Sequence, residues 1–145
     1  MLNILVLLVV SFLTAISTFY TSEKLNQGPV RSSALLSLSI ALLFYAFPNF
    51  LPPYLVKNIP VVCIGASFVG MVSSRLLSNY TLIGAGGVIF CLIYLHTSNF
   101  FNGYGGALGT SAAIALLAVL SIPIVGKKEK LTNGLVQLRK ILFKR

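Results

Sequence analysis

Acidic side chains are almost missing from this chain. Its 145 residues include no aspartate and only two glutamates, Glu23 and Glu129, against eleven Lys and Arg. Carboxylate pairs for general acid–base work therefore cannot be assembled, nor can carboxylate sites for Na⁺ or H⁺ coupling inside a membrane. Histidine occurs once, as His96, and the two cysteines, Cys63 and Cys91, have no C-x-x-C spacing. A zinc site of the usual ligand spacing is thereby excluded. No Gly-rich phosphate loop ending in Lys-Ser/Thr is present either. No catalytic residue, metal ligand or cofactor is expected, and the chain is not read as an enzyme.

Charge is scarce as well as one-sided. Charged residues make up 9% and hydrophobic residues 57%, whereas a soluble globular domain carries roughly 25% charged residues. From Leu76 to Gly126 there is no Lys, Arg, Asp or Glu at all, and Lys127-Lys128-Glu129-Lys130 follows at once. A net charge of +9 might suggest nucleic acid. That partner requires a basic face on a folded soluble domain, but seven of the eleven basic residues lie after Gly126, beside the last apolar segment. The expected partners are a lipid bilayer and its anionic headgroups, not a nucleic acid.

What remains is apolar and long. A helix needs about 20 mostly apolar residues to cross the hydrocarbon core. Charges and turn formers divide the chain into five such segments, expected at about 1–20, 33–50, 58–77, 80–96 and 104–125. The apolar runs are unbroken and do not alternate, which favours helices over strands. Pro60 is expected in the first turn of the third segment, where a missing N–H costs least. The fold class expected is an all-α integral membrane protein with five transmembrane helices. Residues 127–145 form a separate basic tail.

Basic residues in short loops set orientation. Five spans with the C-terminus inside and the N-terminus outside put Lys24, Arg31, Arg75 and the tail on the inner side, leaving only Lys57 outside. Tryptophan is absent, but Phe47, Phe50, Tyr54, Tyr94, Phe100, Phe101 and Tyr104 gather at the expected outer edge. The first segment has no basic residue ahead of its apolar run, the reverse of a secretory signal, and is read as an uncleaved anchor. The expected location is the plasma (inner) membrane, with the tail cytoplasmic.

Glycine concentrates in the last three segments, at Gly65, Gly70, Gly84, Gly86, Gly87, Gly105, Gly106 and Gly109. Small residues let helices approach closely in lipid, where no hydrophobic drive joins them. One reading is a tight core of segments three to five, flanked by two Leu-rich, lipid-facing helices. The other is a narrow path or site lined by Gly65, Ser67, Gly70, Ser74, Gly86, Gly87, Gly106, Gly109 and Thr110. In the tail, Leu131, Leu135, Leu138 and Leu142 fall on one helical stripe. Lys127, Lys128, Lys130, Arg139, Lys140, Lys144 and Arg145 would contact an anionic membrane surface or a partner protein. Two functions fit: a small permease- or channel-like unit for a neutral or anionic solute without ion coupling, or a non-transporting accessory subunit. Either would be homo-oligomeric or joined to a partner membrane protein.

Overall fold

In a computed structural model the described residues are 2–47, 51–97 and 105–126, with the side chains of the last helix described over 106–122. Among them the chain is entirely helical: α1 (Leu2–Lys24), α2 (Pro29–Ala46), α3 (Pro53–Gly70), α4 (Tyr80–Thr97) and α5 (Gly105–Gly126). The first four are long and apolar enough to cross a membrane; the described apolar part of α5, Gly106–Ile122, is shorter. These helices are compatible with an integral membrane protein. The 98–104 connection and the whole tail, from Lys127 to Arg145, lie outside the described residues, as do residues 48–50.

Local chemistry sets the helix ends, and it corrects two of the expected segments. The second helix begins at Pro29, not at 33. Gly28 precedes it at φ 79° and Asn26 at φ 51°, so two positive-φ residues reverse the chain. Proline at the first helical position then starts α2 with its ring already at a helical φ, and Arg31 falls within the first turn instead of in the loop. The third helix likewise begins at Pro53 and stops at Gly70, five to seven residues ahead of the expected 58–77. Pro53 occupies the starting position, where its missing N–H costs least. Pro60 therefore lies inside α3 instead of in its first turn. Its missing N–H leaves the Val56 carbonyl without its intrahelical donor.

Residues 71–79 are a loop, not the end of a span. Leu76 and Leu77 donate their N–H groups to the Ser73 carbonyl at 2.9 and 3.1 Å. Asn79 caps α4, its Oδ1 accepting from the Thr81 N–H at 3.2 Å and from the Thr81 hydroxyl at 2.7 Å. A short polar side chain at this position satisfies a free helix-end donor. Glu23, at the last turn of α1, reaches across to the same loop. Its two oxygens accept from the Ser74 N–H (3.1 Å) and the Ser74 hydroxyl (2.8 Å).

The arrangement around the core departs from the flanked three-helix picture. Among the described residues α3 packs on all four other helices, α1 packs on α2, α3 and α4, and α5 rests on α3 and α4. Leu7, Ser11, Thr14, Ala15, Thr18, Phe19 and Ser22 of α1 are buried. The expectation of an outward flank fails for α1 because one of its stripes is built from small residues, which the Leu-rich average conceals. It fits α2, whose only buried residues are Ser32 and Ser33, and which exposes Leu35, Leu38, Leu42, Leu43 and Tyr45.

Candidate functional site

Ser11, Thr14, Ala15, Thr18 and Ser22 recur every three or four residues, so they share one face of α1. At its middle α1 is wedged between two glycines. A methyl group placed on Gly70 of α3 would meet the Ala15 carbonyl oxygen at 2.5 Å and the Thr18 Cβ at 2.7 Å. One placed on Gly87 of α4 would meet the Ser11 carbonyl oxygen at 2.7 Å and the Ala15 Cβ at 3.0 Å. Ala15 thus meets both glycines, α3 through its carbonyl oxygen and α4 through its methyl group. Beside it the Ser11 hydroxyl donates to the Gly87 carbonyl at 2.6 Å, bridging α1 and α4.

The remaining core glycines are filled by aromatic rings and valines. Any side chain on Gly65 would overlap the ring of Phe90, which is fully buried, and any on Gly84 would overlap Phe12. A methyl group placed on Gly86 would meet the Val69 Cγ1 at 2.8 Å and the Val119 Cγ2 at 3.5 Å. Small and large residues therefore interlock across helix pairs, the arrangement that gives dispersion its full contact. Phe90 also stacks near Tyr94, with ring centroids 6.4 Å apart.

Polar groups in this core are used up locally. Thr14 donates to the Val10 carbonyl at 2.8 Å and lies 3.5 Å from the Cys63 Sγ, and Thr18 donates to the Thr14 carbonyl at 2.8 Å. Ser67 of α3 donates to the Ile64 carbonyl at 2.7 Å, so Ser33 of α2 is the donor in the 2.7 Å Ser33–Ser67 bond; the Ser37 hydroxyl stands 3.4 Å away. At the other end of α3 the Tyr94 hydroxyl donates to the Asn58 Oδ1 at 2.8 Å. Among the described residues every buried side-chain N or O atom has a partner.

The candidate residues named from sequence separate into three places. Gly65, Gly70, Gly86 and Gly87 are buried at helix contacts, with Ser67 at the α2–α3 contact. Ser74 is exposed in the loop and held by Glu23. Gly106, Gly109 and Thr110 are on α5, away from the others. A methyl group on Gly106 or Gly109 would meet nothing within 4 Å, and Thr110 is exposed, its hydroxyl donating to the Ala107 carbonyl at 3.0 Å. The seven basic tail residues, Lys127 to Arg145, lie outside the described residues.

His96 is exposed, its Nδ1 3.0 Å from the Leu92 carbonyl. Cys63 and Cys91 are free thiols in the core. No group of three potential metal ligands occurs among the described residues. Attention to glycine alone missed the α1 stripe. Its signal was available as the i, i+3, i+4, i+7 recurrence of hydroxyl and alanine positions from Ser11 to Thr18. Compared with protein-family models, with curated proteins and with solved structures, the chain has no significant match.

Proposed function

We propose that the protein is a non-transporting, membrane-embedded assembly subunit that joins other membrane helices through the open face of α5. The observation that carries this reading is the contrast between glycines. Gly65, Gly70, Gly84, Gly86 and Gly87 are each shut against a neighbour, whereas Gly106 and Gly109 meet nothing among the described residues. In lipid, a small-residue face gains contact only when another helix covers it. The outward faces of α1 and α2 carry Leu2, Leu5, Leu13, Leu35, Leu38 and Leu42, whereas on α5 the small residues Gly106, Gly109 and Thr110 precede the exposed Ile114 and Leu117. A solute path through one copy has less support, because the glycines and hydroxyls suited to line it are closed or paired.

In this reading all five helices cross the membrane, with the N-terminus outside and the tail in the cytoplasm. Lys24, Arg31 and Arg75 support that orientation by sharing one end of the bundle, and Lys57 sits toward the other. The tail adds contact with anionic lipid or with the partner. Thiol labelling of Tyr54→Cys and Arg75→Cys, in a background lacking Cys63 and Cys91, is expected from opposite sides of the membrane. Labelling of both from one side would refute the topology.

The assembly itself is tested in the same background by oxidative cross-linking. Thr110→Cys, on the open face, is expected to form dimers or a discrete adduct with a partner membrane protein, and Leu42→Cys is not. Reconstituted alone in liposomes, the protein is expected to pass no small solute. Equal cross-linking at both positions together with solute flux would overturn the assembly reading in favour of a permease-like unit.

A further inference from the structure

Pro60 divides α3 into two parts that are held very differently. Before the proline α3 buries only Leu55 and Ile59, whereas after it seven of the ten residues 61–70 are buried. The later part is fixed on three sides. Its Ser67 pairs with Ser33 of α2 at 2.7 Å, Gly70 lies against Ala15 and Thr18 of α1, and Gly65 lies against the Phe90 ring of α4. In the earlier part Tyr54 and Lys57 are exposed. Among the described residues its one side-chain hydrogen bond to another helix is that from the Tyr94 hydroxyl of α4 to the Asn58 Oδ1, at 2.8 Å.

The backbone is weakest between these parts. Pro60 has no N–H to give the Val56 carbonyl, and its ring crowds that same carbonyl. Asn58 meanwhile braces the earlier part from within, its Nδ2 donating to the Tyr54 carbonyl at 2.7 Å. One side chain therefore both stiffens residues 53–59 and ties them to α4. A stretch with few buried contacts opens at a lower free energy than the core it rests on, and a proline is where a helix bends.

We propose that Pro60 is a hinge at which residues 53–59 swing from α4 as one unit, latched by the Asn58–Tyr94 bond, while residues 61–70 stay fixed in the core. Opening uncovers the packed side chains of Leu55 and Ile59. Simple fraying from Pro53 would instead loosen the helix progressively and without regard to the proline. The inference concerns α3 and α4 and is independent of what covers α5.

The test is thiol labelling of the full-length protein in lipid nanodiscs by a small water-soluble methanethiosulfonate, in the background lacking Cys63 and Cys91. Ile59→Cys is expected to react and Val62→Cys, just beyond the hinge, to stay protected. Tyr94→Phe removes the latch and is expected to speed the reaction of Ile59→Cys about threefold, the change in open population for a hydrogen bond of average strength in a membrane protein. Val62→Cys is expected to stay protected in that variant. Pro60→Ala restores the missing donor and is expected to slow Ile59→Cys by at least as much. Hydrogen exchange of the wild-type chain, which needs no substitution, is expected to show the Asn58 and Ile59 amides exchanging together and ahead of those of residues 62–70. Labelling indifferent to Pro60→Ala would mean fraying without a hinge and would overturn the proposal. Equal acceleration of both thiols by Tyr94→Phe, or exchange that grades smoothly along α3, would overturn it too.

Discussion

Replacing Gly87 by alanine adds one methyl group where α1 and α4 are closest. That methyl would stand 2.7 Å from the Ser11 carbonyl oxygen, 3.2 Å from the Ser11 carbonyl carbon and 3.0 Å from the Ala15 Cβ. Two of these are backbone atoms of α1, which cannot rotate away as the end of a side chain could. Optimal carbon contacts lie at about 3.5–4.0 Å, and the helices must part by roughly half an ångström or more to restore them. Overpacking of this kind costs about 1–3 kcal/mol, and alanine returns about 1 kcal/mol of helix propensity. Separation also lengthens the 2.6 Å Ser11–Gly87 bond, of a class worth about 0.6 kcal/mol on average in membrane proteins. A net loss of about 1–2 kcal/mol follows.

Gly109→Ala supplies the internal comparison, since nothing lies within 4 Å of the added methyl. It is expected to gain up to about 1 kcal/mol from propensity alone. The assay is reversible unfolding in mixed micelles by sodium dodecyl sulfate titration, followed by circular dichroism at dilutions that keep the chain monomeric. A Gly87→Ala variant as stable as wild type would refute the claim that the α1–α4 contact is backbone-tight. Equal destabilisation by both substitutions would refute the distinction between closed and open glycines.

Three further outcomes follow from the same geometry. Ser11→Ala removes the bridge to Gly87 but adds no bulk, so its cost in the same titration is expected near 0.6 kcal/mol, well below that of Gly87→Ala. A double-mutant cycle on Ser33 and Ser67, whose hydroxyls pair at 2.7 Å, is expected to give a coupling of about 0.5–2 kcal/mol; zero coupling would mean that α2 is not held by that bond. Glu23→Ala frees Ser74 and is expected to speed hydrogen exchange and proteolysis across residues 71–79 with little change in global stability. Unchanged protection there would show that Glu23 does not restrain the loop.

Apolar run length, the scarcity of charge and the position of Lys127 made the helical class and the number of helices legible in the sequence. They could not locate the core. Hydropathy averages over a helix and is blind to which face is small, so α1, read as a Leu-rich flank, in fact packs on α2, α3 and α4, beside an α3 that touches every other helix. Glycine drew attention to Gly70 and Gly87, but half of each close contact is supplied by Ser11, Ala15 and Thr18 of α1. Proline marks a boundary without saying on which side the helix lies: Pro29 and Pro53 each stand at the start of a helix, where a fixed φ suits the first turn. The candidate residues on α5 differ again: composition makes Gly109 equivalent to Gly87, and only the neighbours separate them.

The hydroxyl stripe on α1 bears on how the bundle is made. Of the five helices α1 is synthesised first, and its partners α3 and α4 follow only after α2 has been added. During that interval a hydroxyl stripe is exposed to lipid, where an unsatisfied polar group is costly. The structure meets this in advance, since Thr14 donates to Val10, Thr18 to Thr14 and Thr21 to Ser17, each to a carbonyl four residues back in its own helix. Ser11 instead draws its acceptor from another helix, the Gly87 carbonyl of α4. An inserting α1 therefore carries its threonine hydroxyls already paired, while the Ser11 donor waits for α4, so that capture of α4 gives the order of synthesis a role in the order of assembly.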